Sequence, residues 1–270
     1  MLQTFDSQDP VLNQIADEVQ YNLIHRICES KLSKCIKTAD DTMIYAQSEG
    51  NNAWLWISKQ LAEDERNHVL HELLEVLEGP TLPGVTGDPV TVEHFARLYS
   101  EANALEYFTH MTMEAYSCPG VKKPSHVKGS MHPAAKHHVE TVAKFLAGFS
   151  EDAHGAKVDP ASQISAAEGA IGTGNLYLWI VDSQPVSMAK IAHRSTRHAR
   201  INAVYTPPVS RKNGYASAIV AELCSVLEGE LLEPMLYADL QNPDSNKVYQ
   251  NIGFVARGNV VDIKFKAQIS

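Results

Sequence analysis

The residues from Val204 to Ala216 join three features suited to holding an anion: a strand, a turn with few free N–H donors at Pro207 and Pro208, and a helix opening on Arg211, Lys212, Asn213 and Gly214. The first N–H groups of a helix have no intrahelical partner and point one way, so a pyrophosphate fits there. Gly214 lets a ligand approach the backbone, and Ala216 keeps the next turn clear. Arg211 and Lys212 add charge where the helix dipole is already positive, a mismatch that a bound anion would relieve. Taken alone, the segment also reads as a strand-to-helix turn carrying solvated basic side chains.

A second stretch, Leu236 to Phe254, ends one strand and begins a short helix. Asn246 and Tyr249 lie three apart on that helix, hence on one face and at one pocket. A tyrosine hydroxyl there can donate a proton, or can simply anchor the helix. Candidates for a general base are Asp239, Glu168, His193 and His198, although a strand-end Asp is commonly a turn acceptor and a lone His commonly a core or surface residue; water is the alternative. His68 with His71, or His132 with His137 and His138, have spacings a metal could use. Twelve histidines generate such spacings readily and no H-E-x-x-H pattern accompanies them, so no metal is expected. Trp54 and Trp56 alternate, which reads as one core ring and one exposed ring.

The elements that must position these groups follow from periodicity. Asp9-Pro10 caps a helix in which Val11, Ile15, Val19, Leu23 and Ile27 recur every four residues, ending near Lys31. Thr42–Tyr45 and Ala53–Ser58 read as a hairpin around Glu49-Gly50-Asn51-Asn52. A second helix runs from Glu63 to a stop at Gly79-Pro80, Gly84–Pro89 reads as a loop, a third helix spans Val92–Asn103, and a strand spans Glu106–Tyr116. Pro119, Gly120, Pro124 and Gly129 then break the pattern, dividing the chain into domains 1–128 and 129–270. The second part reads as a helix (Ala134–Gly148), strands at Asn175–Val181 and Val186–Ala192, a strand at Arg200–Thr206 and a helix carrying Tyr215, Ile219, Leu223 and Val226. A strand at Met235–Leu240, a short helix closing at Gly253 and a last strand at Val260–Lys266 complete it.

Composition narrows the function classes. The net charge of −9 and pI near 5.7 argue against general binding to nucleic acid or anionic membranes. All of the excess acidity lies in residues 1–128, with 10 Lys/Arg against 19 Asp/Glu, whereas residues 129–270 carry 13 of each. No apolar run reaches the roughly 18 residues a bilayer span needs, and Met1–Pro10 contains no basic residue, so neither a membrane anchor nor a secretory signal is expected. Cys28, Cys35, Cys118 and Cys224 are scattered, with no C-x-x-C pair. Neither a disulfide framework nor a zinc site is signalled, and a reducing cytoplasmic setting fits.

Two motifs, Arg211-x-x-Gly214-x-Ala216 and Asn242…Asn246-x-x-Tyr249-x-x-x-Gly253-Phe254, stand in order about thirty residues apart, each on a strand-to-helix turn. At these residues the chain resembles the GCN5-related N-acetyltransferase (GNAT) superfamily, which moves an acetyl group from acetyl-CoA to an amine. Leu178-Trp179, Pro185-Val186-Ser187-Met188-Ala189 and Asp239-Leu240-x-Asn242-Pro243 look more narrowly like a two-part group within it. Close resemblance covers about residues 172–266. It implies an α/β fold with a mixed sheet, a GNAT fold in the C-terminal half and a degenerate GNAT-like N-terminal half.

The resemblance further implies that two central parallel strands, Arg200–Thr206 and Met235–Leu240, splay apart around CoA. The pantetheine would pair with the main chain around Tyr205, at Val204 and Thr206, and the pyrophosphate would take N–H groups of Arg211, Lys212, Asn213, Gly214, Tyr215 and Ala216. Asn242 and Asn246 would hold the pantetheine arm, and Tyr249 would protonate the leaving thiolate after direct attack by a small-molecule or peptide amine. Many relatives carry Gly or Arg-Gly where this chain has Lys212-Asn213. A protein that keeps the cofactor cleft without catalysis, as a CoA-binding sensor or scaffold, is the alternative expectation, and a purely structural interaction protein is a third.

Overall fold

The computed structural model describes residues 1–15, 18–77 and 82–267. The chain packs as two compact units. One comprises Met1–Ala115, Ala238–Gln241 and the stretch from Arg257; the other comprises Tyr116–Tyr237 and Asn242–Ala256. The units therefore do not follow a single cut at 128/129, because the C-terminal stretch packs with the first unit.

In the first unit the strands are β1 (Leu2–Thr4), β2 (Lys34–Thr38), β3 (Met43–Gln47), β4 (Ala53–Ile57), β5 (Gly84–Gly87), β6 (Leu105–Ser117) and β12 (Val255–Ala267), in the order β1-β2-β3-β4-β5-β12-β6. β1 to β4 are antiparallel neighbours, β4 and β5 are parallel, and β5 and β12 antiparallel. The helices are α1 (Glu18–Cys28), α2 (Glu63–Val76) and α3 (Pro89–Asn103).

The single helix expected from Pro10 to Lys31 is instead a 3₁₀ turn, Pro10–Asn13, followed by α1. Asp9 accepts from the Val11 N–H at 2.9 Å and pairs with Lys37 at 2.8 Å, which holds the first turn against β2. The same four-residue repeat serves both pieces, so periodicity alone could not separate them. The stop expected at Gly79-Pro80 lies outside the described residues, but α2 has already ended at Leu77, whose N–H returns to Leu73 and Leu74. α3 begins earlier than expected, with Asp88 accepting from the Val90 and Thr91 N–H groups ahead of Pro89.

Gly84–Pro89 is not a loop: its first four residues form β5, all buried. The two glycines are a packing requirement. A Cβ at Gly84 would sit 2.2 Å from the Ile263 carbonyl oxygen, and one at Gly87 would sit 2.4 Å from that of Leu55. β5 is thus held tightly between β4 and β12, with no opening along the parallel pair. Gly84→Ala is expected to destabilise the protein by about 1–3 kcal/mol through overpacking against backbone that cannot yield. Denaturant unfolding of the variant measures this. Trp54 and Trp56 are both buried, because β4 is covered on both faces, so the expected exposed ring is not found.

In the second unit β7 (Ser130–Pro133), β8 (Leu176–Val181), β9 (Gln184–Arg194), β10 (His198–Tyr205) and β11 (Glu233–Asp239) run in the order β11-β10-β9-β8-β7. β7 to β10 are antiparallel neighbours, and β10 and β11 are parallel. The helices are α4 (Val139–His154), α5 (Ile164–Gly172), α6 (Tyr215–Gly229) and α7 (Pro243–Ile252). β7 and α5 were not expected, and α4 is shifted from Ala134–Gly148 because Lys136–His138 forms a 3₁₀ turn closed by Ala135 N–H donating to His138 Nδ1. A core of Val142, Ala143, Phe145, Ala167, Leu176, Leu178, Met188 and Tyr205 ties α4 and α5 to the sheet.

Candidate functional site

β10 and β11 share a parallel ladder only at His198–Arg200 against Glu233–Met235. Beyond Arg200 and Met235 their registers end, although β10 continues to Tyr205 and β11 to Asp239. β10 also changes course there. Asn202 pairs with Lys190 and Tyr205 with Met188, so two residues, Ala203 and Val204, stand opposite one, and Ala203 takes a left-handed φ of 49°. The bulge bends the strand where the parallel pair opens. Because β10 and β11 are parallel neighbours, the turns that follow them both leave at one end of the sheet, and α6 and α7 touch.

The first turn carries Thr206 to Ala216. Lys212 and Gly214 both adopt left-handed φ, 63° and 81°, while Asn213 does not. The backbone strain of the Lys212-Asn213 departure therefore falls on the lysine. Asn213 folds its amide back onto the Ser210 and Arg211 carbonyls at 3.1 Å each. Gly214 is the N-cap of α6 and offers no side chain to the first N–H groups, and no acidic residue stands in the first turn, which contains Tyr215 and Ala216. The α6 backbone ladder begins with Ala218 N–H donating to Gly214. That is a helix start left open to an outside acceptor.

Arg211 is engaged within the protein. Its guanidinium pairs with the Asp152 carboxylate, and its Nε donates to the Thr206 carbonyl at 2.9 Å. Asp152, on α4, was not singled out in the sequence, since only the fold brings it to residue 211. Behind the turn, the fully buried Ser187 hydroxyl donates to the Tyr205 carbonyl at 3.0 Å and accepts from the Thr206 hydroxyl at 2.8 Å. Tyr205 packs its ring 5.7 Å from Phe145 and over Gly148, where a Cβ would lie 2.1 Å from its hydroxyl. Burial raises the Tyr205 pKa. Ser187→Ala strands two polar groups and is expected to cost about 1–3 kcal/mol, read as a lowered Tm.

The second turn carries Asn242, the N-cap of α7, which accepts from the Ser245 N–H at 3.1 Å ahead of Pro243. Asn246 donates its amide to the Asn242 carbonyl at 2.7 Å, and its Oδ1 accepts from the Tyr116 hydroxyl at 3.0 Å; that hydroxyl in turn accepts from Gln250 Nε2 at 3.3 Å. Tyr116 is buried and was missed in the sequence, where it read only as the end of a strand. Tyr249 is buried, lies edge-on to Phe254 with centroids 5.8 Å apart, and has its pKa pushed up to about 12 by burial alone.

Of the four base candidates, His193 and His198 are buried, with His198 Nε2 3.8 Å from Glu233; Glu168 is exposed on α5. The Asp239 carboxylate accepts from the Gln241 N–H at 2.9 Å, a turn role. The His137 and His138 rings lie with centroids 3.9 Å apart, tilted by 48°, and His132 bonds Ser130 at 2.9 Å. Among the described residues no group of three or more His, Cys, Asp or Glu is placed to hold a metal ion. No described helix is long and apolar enough to cross a membrane.

Comparison with known proteins agrees with the resemblance. Residues 177–261, which span both turns, match the family model described as FR47-like protein. No curated protein matches the chain. Among solved structures, an X-ray structure of a Drosophila protein superposes with a TM-score of 0.66 at 10% identity, covering 98% of each chain. A GCN5-related N-acetyltransferase from Kribbella flavida gives 0.61 at 11% identity, covering 94% of this chain and 96% of its own. A GNAT-family acetyltransferase from Colwellia psychrerythraea gives 0.60 at 11% identity, covering 98% and 100%. At these identities the likeness is one of fold. The chain has the GNAT fold, with an FR47-like segment at residues 177–261.

Proposed function

We propose that the second unit binds acetyl-CoA and transfers its acetyl group to an amine. The observation that carries this reading is the early end of the β10–β11 ladder beside the bulge at Ala203–Val204, facing a helix start without a side-chain cap. A pantetheine arm would enter the opening and pair with main-chain groups of Val204 and Thr206, as an added strand does. The diphosphate would take the N–H groups from Arg211 to Ala216, with Lys212 supplying charge and Arg211 bracing the turn through Asp152. Asn242 and Asn246 would line the arm, Asn246 being oriented by Tyr116.

The amine nitrogen attacks the thioester carbonyl carbon directly, its proton passing to water or to a nearby base. A strand N–H near Val204 stabilises the developing oxyanion, so positioning and fixed dipoles supply most of the acceleration. Collapse of the tetrahedral intermediate breaks the C–S bond, and the Tyr249 hydroxyl protonates the thiolate. The acceptor is a small-molecule or peptide amine rather than nucleic acid or lipid, in keeping with the acidic charge balance. Four free, buried cysteines suit a reducing cytoplasm.

Titration calorimetry with acetyl-CoA tests the reading: one site per chain is expected, and no heat at micromolar protein overturns it. Thioester consumption across a panel of amines then separates transferase from sensor. Binding without turnover on any amine favours the sensor.

A further inference from the structure

The first unit holds a pair of thiols that the proposed reaction does not use. Cys28 is the last residue of α1 and Cys35 the second of β2, and their sulfurs lie 3.3 Å apart. They are seven residues apart in sequence, joined by a stretch from Glu29 to Lys34 that is largely exposed. A disulfide holds its sulfurs at about 2.0 Å, so each would move by only about 0.6 Å to close the bond. Both residues keep a trace of exposure, 5% and 6%, beneath a helix end, where local opening is easiest. The other pair, Cys118 and Cys224, is more deeply placed at 1% and 0%.

We propose that Cys28 and Cys35 are a modification site that a peroxide converts to an intramolecular disulfide. Cys35 is the attacking thiol: it lies at the strand end of the exposed connection and, once ionised, its thiolate can accept the Cys28 S–H across the 3.3 Å contact, which holds its pKa below the ordinary thiol value, whereas Cys28 is pushed up by that contact and by burial. The Cys35 thiolate attacks one peroxide oxygen and breaks the O–O bond, giving a sulfenic acid and hydroxide, which takes the proton lost by the thiol. Cys28 sulfur then attacks the Cys35 sulfur, expelling the hydroxyl as water with the Cys28 proton. Two thiols are oxidised, hydrogen peroxide is reduced to two waters, and an added dithiol reverses the change.

The test treats the whole native protein with hydrogen peroxide, removes it with catalase, and counts thiols by N-ethylmaleimide after denaturation. Uptake is expected to fall from four per chain to two. Trypsin separates the cysteines into peptides 27–31 and 35–37, which are expected as a linked pair about 2 Da lighter than the free peptides together, released by dithiothreitol. In Cys28→Ser, Cys35 is expected to stop at a sulfenic acid trapped by dimedone, an adduct absent from the unchanged protein. If the unchanged protein keeps four reactive thiols, links Cys118 to Cys224 instead, or carries sulfinic or sulfonic acids on 28 and 35 without a linked peptide, the proposal is overturned. Because these readouts are covalent and made without CoA or amine, they stand apart from the transferase reading.

Discussion

Gly214→Glu is expected to weaken the proposed acetyl-CoA binding, with Kd rising at least about 100-fold, or about 2.7 kcal/mol. Three effects act together. The carboxylate places negative charge at the helix start that would face the diphosphate, replacing attraction by repulsion. A Cβ at this position would lie 3.1 Å from Val127 Cγ2, so any side chain must displace that neighbour. The φ of 81° also costs a non-glycine residue about 1–2 kcal/mol, which loosens the turn itself. Gly214→Asn separates these terms, since asparagine tolerates left-handed backbone and carries no charge. Its Kd is expected to rise less than about tenfold. Calorimetry measures both, and a thermal melt showing folded protein keeps loss of binding distinct from loss of structure. Unchanged affinity in Gly214→Glu would remove the diphosphate from this turn.

The site turns were legible in the sequence because their chemistry is local. Prolines that end a strand, a glycine that must turn left-handed and an asparagine that caps a helix are each dictated within four or five residues. α6, α7 and β8 to β11 were recognisable for the same reason. What escaped notice depends on distant partners. β5 reads as a loop because Gly84 and Gly87 are poor strand formers, and only Ile263 and Leu55 explain why nothing larger fits. Asp152, Ser187 and Tyr116 look unremarkable until the fold places them against Arg211, Tyr205 and Asn246. The thiol pair was hidden differently: seven residues matches no familiar cysteine motif, and the contact arises only because α1 ends where β2 begins.

The two units also show why similar strand order need not carry similar function. In the first, the parallel strands β4 and β5 pair over three residues, Ala53–Val85 through Leu55–Gly87, where β5 itself ends, and β12 seals the other edge of β5. In the second, the ladder is equally three residues long, but β10 runs on for five residues and β11 for four beyond its end. A tight parallel pair has spent its N–H and C=O groups on itself, whereas an opened pair has them to offer to an extended ligand. The proposed cofactor cleft is therefore placed in the second unit alone, and one acetyl-CoA per chain is the expected stoichiometry.

Tyr249→Phe is expected to lower kcat about 100-fold while leaving the Kd for acetyl-CoA within about twofold. General acid catalysis commonly supplies at least that factor, about 2.7 kcal/mol. The ring packs against Phe254, a contact that phenylalanine keeps, so the substitution preserves the fold and deletes only the hydroxyl. Burial pushes the Tyr249 pKa up to about 12, so the proton remains in place throughout the neutral range, and no alkaline loss of kcat below pH 10 should arise from this group. The same shift has a sign for stability. A tyrosine whose pKa is higher folded than unfolded leaves stability intact below about pH 10 and erodes it as pH rises towards 12, because the unfolded chain releases its proton first. Tyr249→Phe should remove that share of alkaline destabilisation, measured as a smaller fall in Tm between pH 9 and 11. A variant that turns over at the unchanged rate would assign thiolate protonation to water and leave Tyr249 a packing residue.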